Sequence, residues 1–167
     1  MKKSLSAFCL LFSAFMLAAC SRNADVQGKG QPYLQGEWQQ DPSAVQKQLM
    51  TYSTFHFKFT CDSFYIRQQT FTRINYGSDT CMNKGKWTEY IRGTYNQKHD
   101  TLLLKGDFCN ADYSLKIDQG CFRYGVYEDV FKVVKKTDSL IQLSGAASEI
   151  PLNIRLVKRI TCNPKPL

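Results

Sequence analysis

From residue 55 the apolar side chains of this chain fall into step with a period of two. Phe55, Phe57 and Phe59 alternate with His56, Lys58 and Thr60, a pattern that suits an extended strand with one face in a core and the other in water. The signature recurs: segments 64–72, 86–95, 101–105, 113–117, 122–135, 140–143 and 150–158 are rich in aromatic and β-branched residues and read as strands. Turn-forming residues punctuate them at Asp62-Ser63, Lys98-His99-Asp100, Gly106-Asp107, Asp118-Gln119-Gly120 and Thr137-Asp138-Ser139. With a first strand around Trp38 the total is about nine strand candidates, at the regular spacing of a barrel or sandwich. One interruption is helical. Asp41 can cap, Pro42 suits a first helical position, and Val45, Leu49 and Tyr52 form an apolar stripe ending near residues 50–52. Consecutive hairpins make a meander, and closure removes the aggregation-prone edges of an open sheet. The expected fold is therefore all-β: an antiparallel meander barrel of about eight strands with one short N-terminal helix, spanning residues 33–167.

The N-terminus carries a different signal. Lys2 and Lys3 precede an uncharged apolar stretch from Leu5 to Leu17, closed by Leu17-Ala18-Ala19-Cys20, which reads as a secretory signal peptide over 1–19. The Leu-Ala-Ala-Cys ending resembles the lipobox of bacterial lipoproteins. That resemblance implies a diacylated Cys20 as the first mature residue and a permanent membrane anchor, since two or more acyl chains hold where one does not. Residues 20–32, with Gly28, Gly30 and Pro32 and few apolar groups, then form a flexible tether whose twelve residues after the cysteine span about 20 Å. Ser21 rather than Asp after the cysteine implies, by resemblance to lipoprotein sorting signals, an outer-membrane location facing the periplasm. Removing the 19-residue leader leaves 148 of the 167 residues and lowers the net charge from +8 to +6. That length suits one domain with its own core.

Gly36-Glu37-Trp38, on the first strand just before the short helix, resembles the G-x-W motif that opens lipocalins and related calycin barrels. The resemblance implies that Trp38 plugs the closed end and that a basic side chain of the last strand lies across it. Within Ile154-Arg155-Leu156-Val157-Lys158-Arg159, Arg155 is the expected partner, with Lys158 and Arg159 as alternatives. Such a cation–π contact contributes about 1 kcal/mol. A second lipocalin signature has only a partial echo, in Asn110-Ala111-Asp112-Tyr113.

Without Cys9 and Cys20, five cysteines remain: Cys61, Cys81, Cys109, Cys121 and Cys162. Five thiols in an exported domain point to disulfides, with several pairings open. The expected pairs are Cys61 with Cys81 and Cys109 with Cys121, leaving Cys162 near the tail. No C-x-x-C occurs, and His56 and His99 sit on different predicted elements, so no metal site is expected.

Catalytic motifs are sparse. There is no G-x-S-x-G, His56 reads as an outward strand residue, and His99 reads as a turn residue. Glu89 alternates with Trp87 and Ile91; it points inward if those two do and outward if Thr88, Tyr90 and Arg92 form the inner set. The stretch Gly77-Ser78-Asp79-Thr80-Cys81-Met82-Asn83-Lys84 loosely resembles the fumarase signature G-S-S-x-M-P-x-K-x-N, without its second Ser and its Pro. Fumarases of that type are large helical tetramers, and a β-rich domain of this size cannot supply their scaffold. Neither an enzyme activity nor a cofactor is expected. The basic residues are scattered, with local groups at Lys132, Lys135 and Lys136 and at Lys158, Arg159 and Lys165, which does not suggest a nucleic-acid partner. Anionic headgroups are nearer, but the default reading is a solvated face.

What remains is binding. A barrel of about eight strands has room for packed side chains or for one small ligand, and the mature chain is rich in Phe and Tyr. The expected function is a membrane-tethered binder of a small apolar or amphiphilic ligand, lined by Phe57, Phe59, Phe64, Trp87, Ile91, Tyr95 and Tyr124. The alternative is a non-catalytic envelope interaction module whose rings fill the barrel completely.

Overall fold

The computed structural model describes residues 27–74, 80–117, 120–145 and 148–165. The expected signal peptide, Cys20 and residues 21–26 of the tether lie outside the described residues, as do residues 77–79 of the fumarase-like stretch. Eight strands appear: β1 (Gly36–Gln40), β2 (Thr51–Thr60), β3 (Ser63–Thr72), β4 (Lys86–Lys98), β5 (Thr101–Cys109), β6 (Val126–Lys136), β7 (Leu140–Gly145) and β8 (Leu152–Arg159). Each pairs antiparallel with its neighbour in sequence, and β8 returns to β1. The all-β antiparallel meander is thus a closed eight-stranded barrel, compatible with a lipocalin-like arrangement. Its exposed outward positions include Lys58, Arg67, Arg92, Lys105 and Arg155. Among the described residues no helix is long and apolar enough to cross a membrane.

Two expected strand segments behave otherwise. Residues 113–117 lie in the β5–β6 connection and make one bridge, Cys109 with Leu115. Short polar side chains compete with the ladder there: Asp112 Oδ1 accepts from the Ser114 amide at 2.9 Å, and Asn110 Nδ2 donates to Ser114 Oγ at 3.0 Å. Residues 122–125 stay out of β6 because Phe122 and Gly125 have φ of 71° and 84°, which no strand accommodates. Gly106-Asp107, expected as a turn, continues β5, where Gly106 faces Gly93 of β4. A Cβ on Gly93 would come within 2.1 Å of the Lys105 carbonyl oxygen, so the close approach requires glycine.

The helix α1 is short, Ala44–Gln48. Its cap is Ser43, whose Oγ accepts from the Gln46 amide at 3.1 Å, and not Asp41. The apolar stripe is not buried: Val45 and Leu49 remain exposed.

The barrel has two unlike ends. At one, β2–β3, β4–β5 and β6–β7 are joined by tight turns at 61–62, 99–100 and 137–139, with Cys61 and His99 at φ 55° and 57°. At the other lie the long connections 41–50, 73–85, 110–125 and 146–151. Near the tight end, inward residues fill the interior: Phe57, Phe59, Phe64, Ile66, Ile91, Leu102, Leu104, Ile141, Leu143 and Ile154 are fully or almost fully buried. Residues that the sequence assigned to the tether are tied to this floor. The Gly28 amide donates to Asp62 Oδ2 at 2.8 Å, and the Gln31 amide to the Tyr95 hydroxyl at 2.9 Å.

Trp38 is fully buried between Phe57 of β2 and Leu156 of β8. Its indole N–H donates to the Leu34 carbonyl at 2.7 Å. The cation over it is Arg159, with the guanidinium 5.4 Å from the ring centroid, and not Arg155. Arg155 pairs with Gln39, an outward position, and donates to Asp41 Oδ2 through Nε at 2.9 Å and Nη2 at 2.6 Å. Arg159 ends the strand, where it can fold over the barrel base and donate to the Tyr33 carbonyl at 3.0 Å.

The disulfides also differ from the expected pairs. Cys61 joins Cys162, and Cys81 joins Cys121, leaving Cys109 as a buried free thiol. Cys61 lies in the β2–β3 turn at the tight end, whereas Cys81 belongs to a 3₁₀ turn (Thr80–Gly85) at the opposite end, so a Cys61–Cys81 bond would have to run the length of β3.

Two outcomes follow. Arg159→Ala is expected to lower unfolding stability by about 1 kcal/mol through the lost indole contact, whereas Arg155→Ala, which breaks an exposed pair, should cost less than about 1 kcal/mol; urea titration of both variants distinguishes them. Replacing Cys61 and Cys162 together by Ala should cost about 4–5 kcal/mol, the loop-closure value for a separation of 101 residues, read in the same titration.

Candidate functional site

Toward the long-loop end the inward positions turn polar. β2 contributes Ser53, β3 contributes Gln68 and Thr70, and β4 contributes Glu89, while Trp87 of β4 and Phe108 of β5 supply aromatic walls. These residues, with Phe122, Arg123 and Tyr124 of the β5–β6 connection, line an open cleft of about 700 Å³. A second cavity of about 250 Å³ lies beside it and shares Ser53; Gln40, Gln46, Tyr52, Asp129 and Phe131 are among its walls.

The period-two pattern of β4 allowed either phase, and the structure settles it: Trp87, Glu89 and Ile91 face inward, with Glu89 only 6% exposed. A carboxylate in that position requires a partner. Arg123 provides one. Its Nε donates to Glu89 Oε1 at 2.9 Å and its Nη2 to Oε2 at 2.7 Å, while its amide also reaches Oε1 at 3.2 Å. Nη2 donates further to Gln68 Oε1 at 3.0 Å, and the guanidinium lies 4.6 Å from the Phe108 ring centroid. The network continues through Gln68 Nε2 to Ser53 Oγ at 3.1 Å and from there to Thr70 Oγ1 at 2.8 Å. Gln46 of α1 donates to the Ser53 carbonyl at 2.8 Å and accepts from Gln40 at 2.9 Å. Among the described residues no buried side-chain polar atom lacks a partner.

Burial by itself would raise the Glu89 pKa, but the hydrogen bonds and positive charge of Arg123 outweigh it and hold the carboxyl below its ordinary value. Asp129 faces the neighbouring cavity and forms no ion pair among the described residues. Burial raises its pKa against the pull of the Val130 amide and the Tyr127 hydroxyl.

The segment that carries Arg123 is laid across the mouth and pinned. The Cys81–Cys121 disulfide ties it to the β3–β4 connection, and Lys116 Nζ donates to the carbonyls of Cys121 and Arg123. Phe122 stacks on Trp87, centroids 5.7 Å apart and planes within 8°. Connections of this length in a compact domain are uncommon and often functional.

Of the residues expected to line a ligand site, Trp87 and Tyr124 do line the cleft, Tyr124 from the loop and not from a strand. Phe57, Phe59, Phe64, Ile91 and Tyr95 belong to the packed floor and do not border it. Tyr95 instead donates its hydroxyl to the Cys61 carbonyl at 2.7 Å. His56 is on the outer face, 3.9 Å from Glu37, and His99 is in the β4–β5 turn. No group of three or more His, Cys, Asp and Glu side chains suited to a metal occurs among the described residues. Sequence reasoning missed Arg123, Gln68, Phe108 and Phe122. The available signal was a cysteine, two aromatics, an arginine and a glycine packed into residues 121–125. No protein-family model matches the chain, and the search of curated proteins returns no significant match.

Three outcomes test this description. Glu89, with a lowered folded-state pKa, adds stability that is full above its unfolded value near 4.5 and is lost as pH falls through the folded value; Arg123→Ala should flatten that acid-side slope in melting temperatures taken from pH 7 to 3. Replacing Cys81 and Cys121 by Ala should loosen the strap and increase acrylamide quenching of Trp87, while buried Trp38 stays protected. Cys109, buried and with its thiol pKa raised chiefly by that burial, should resist iodoacetamide until the protein is unfolded.

Proposed function

We propose that this protein is a membrane-tethered periplasmic lipoprotein of lipocalin-like type that binds a small amphiphilic ligand in the mouth of its barrel. The observation that carries the reading is the division of the interior. A solid aromatic and aliphatic floor gives way to an open cleft of about 700 Å³, within the usual range of small-molecule sites. Trp87, Phe108, Phe122 and Tyr124 offer apolar contact, and Glu89, Arg123 and Gln68 offer orientation. The lipocalin resemblance draws support from the G-x-W residues on β1, the closed meander, and a basic group from the end of β8 over the indole. The anchor and location rest on the lipobox-like residues before Cys20.

A second reading is favoured by the exposed apolar residues around the same end. Met50 of the β1–β2 connection and Ile117 of the β5–β6 connection are 57% and 89% exposed, as a rim meeting another envelope component would be.

Native mass spectrometry of the gently extracted protein is expected to show a small noncovalent adduct that disappears on unfolding, and Trp87→Ala should weaken its retention. Apo mass alone, together with no small-molecule response of Trp87 fluorescence, would leave the interaction reading. Cys20→Ser should abolish metabolic labelling by an alkyne-tagged fatty acid and release the protein from the membrane fraction; unchanged labelling would overturn Cys20 as the acylated residue.

A further inference from the structure

We propose that the cleft receives a small organic cation, an amine or guanidinium head on an apolar body, and that Arg123 is a built-in stand-in which the ligand displaces. This rests on the ligand-binding reading and adds the chemistry of the head group.

The two members of the ion pair are held very differently. Glu89 is fixed on β4, its side chain 6% exposed, opposite inward Gln68 of β3. Arg123 comes from a connection outside the sheet, and its side chain is 51% exposed. Only the guanidinium can leave without disturbing the barrel. What it would leave behind is a complete cation receptor. Both carboxylate oxygens of Glu89 are aimed at the cleft, Gln68 Oε1 accepts one more N–H, and the Phe108 face lies 4.6 Å below the charge. Aromatic faces with a desolvated carboxylate recognise alkylammonium and guanidinium groups through charge and cation–π attraction.

The fixed charge around the cleft has the same sign. Asp129 on β6 is a second inward carboxylate, bordering the adjoining cavity, and it accepts from the neutral Tyr127 hydroxyl and Val130 amide. Neither cavity has a strand-borne lysine or arginine among its lining residues. An anionic head would have to sit against Glu89, where like charges at short range are strongly unfavourable. A neutral head would leave Glu89 buried without its cation.

The test is a titration of the full lipidated chain in a mild nonionic detergent, followed by Trp87 fluorescence, with three probes sharing one aromatic body: phenethylamine, 2-phenylethanol and 3-phenylpropionate. Phenethylamine should bind saturably, at least about tenfold tighter than the alcohol, with the carboxylate weakest. Arg123→Ala should tighten phenethylamine about tenfold by removing the competitor, and Arg123→Gln, which keeps most of the volume, should shift it in the same direction. Adding Glu89→Gln to either variant should abolish that gain. Should the alcohol or the carboxylate bind as well as the amine, or should both Arg123 variants weaken amine binding, the cation assignment is overturned while ligand binding stands. If none of the three probes binds the wild type or either variant, the ligand-binding reading fails along with it.

Discussion

The ladder between β1 and β8 turns a meander into a barrel, and Trp38 is the residue on which that ladder rests. Its indole is buried between Phe57 on one neighbouring strand and Leu156 on the other, roofed by the guanidinium of Arg159 and hydrogen-bonded to the Leu34 carbonyl. Gly36, two residues earlier, has φ 154°, and a Cβ there would meet the Lys158 carbonyl oxygen at 2.6 Å. The G-x-W pattern therefore has a mechanical meaning: the glycine lets the two terminal strands approach, and the tryptophan fills the space they enclose. The second terminal strand is held again at its tail by Cys61–Cys162.

Once the base is sealed, the interior divides along the barrel axis. Buried rings and branched aliphatics pack together in the lower layers. Above them the inward positions are Ser53, Gln68, Thr70 and Glu89, side chains that hydrogen-bond laterally and do not fill the width. Such a polar upper layer persists only if every member is satisfied. Here a loop residue, Arg123, completes it. The β5–β6 connection is thus part of the core chemistry although it lies outside the sheet, and Cys81–Cys121 fixes where it lands.

Much of the barrel was legible in the sequence because alternation reports directly on which face of a strand is dry. The phase of β4 was not, since Trp87-Glu89-Ile91 and Thr88-Tyr90-Arg92 both read as plausible inner sets. The first set contains a charge, and it is inner because Arg123, 34 residues later in the chain, neutralises it. The ring-rich positions expected to line a ligand site mostly proved to be floor. Composition counts aromatic groups but does not say at which height in the barrel they stand.

The sequence by itself determined the all-β class, the single meander, the indole plug and the tight turns after β2, β4 and β6, because each depends on local period, local turn chemistry or one short motif. Only the tertiary structure decided which cation covers Trp38, which thiols meet, and where the open cleft lies. Those depend on strand register and on where long connections come to rest. A bulge between Glu37 and Trp38 shifts the register of β8 against β1 and helps set Arg155 and Arg159 on different tasks. Cys121 reaches Cys81 across a separation of 40 residues because β4 and β5 carry the chain down the barrel and back. Distances of that kind are products of closure, and no window of neighbouring residues contains them.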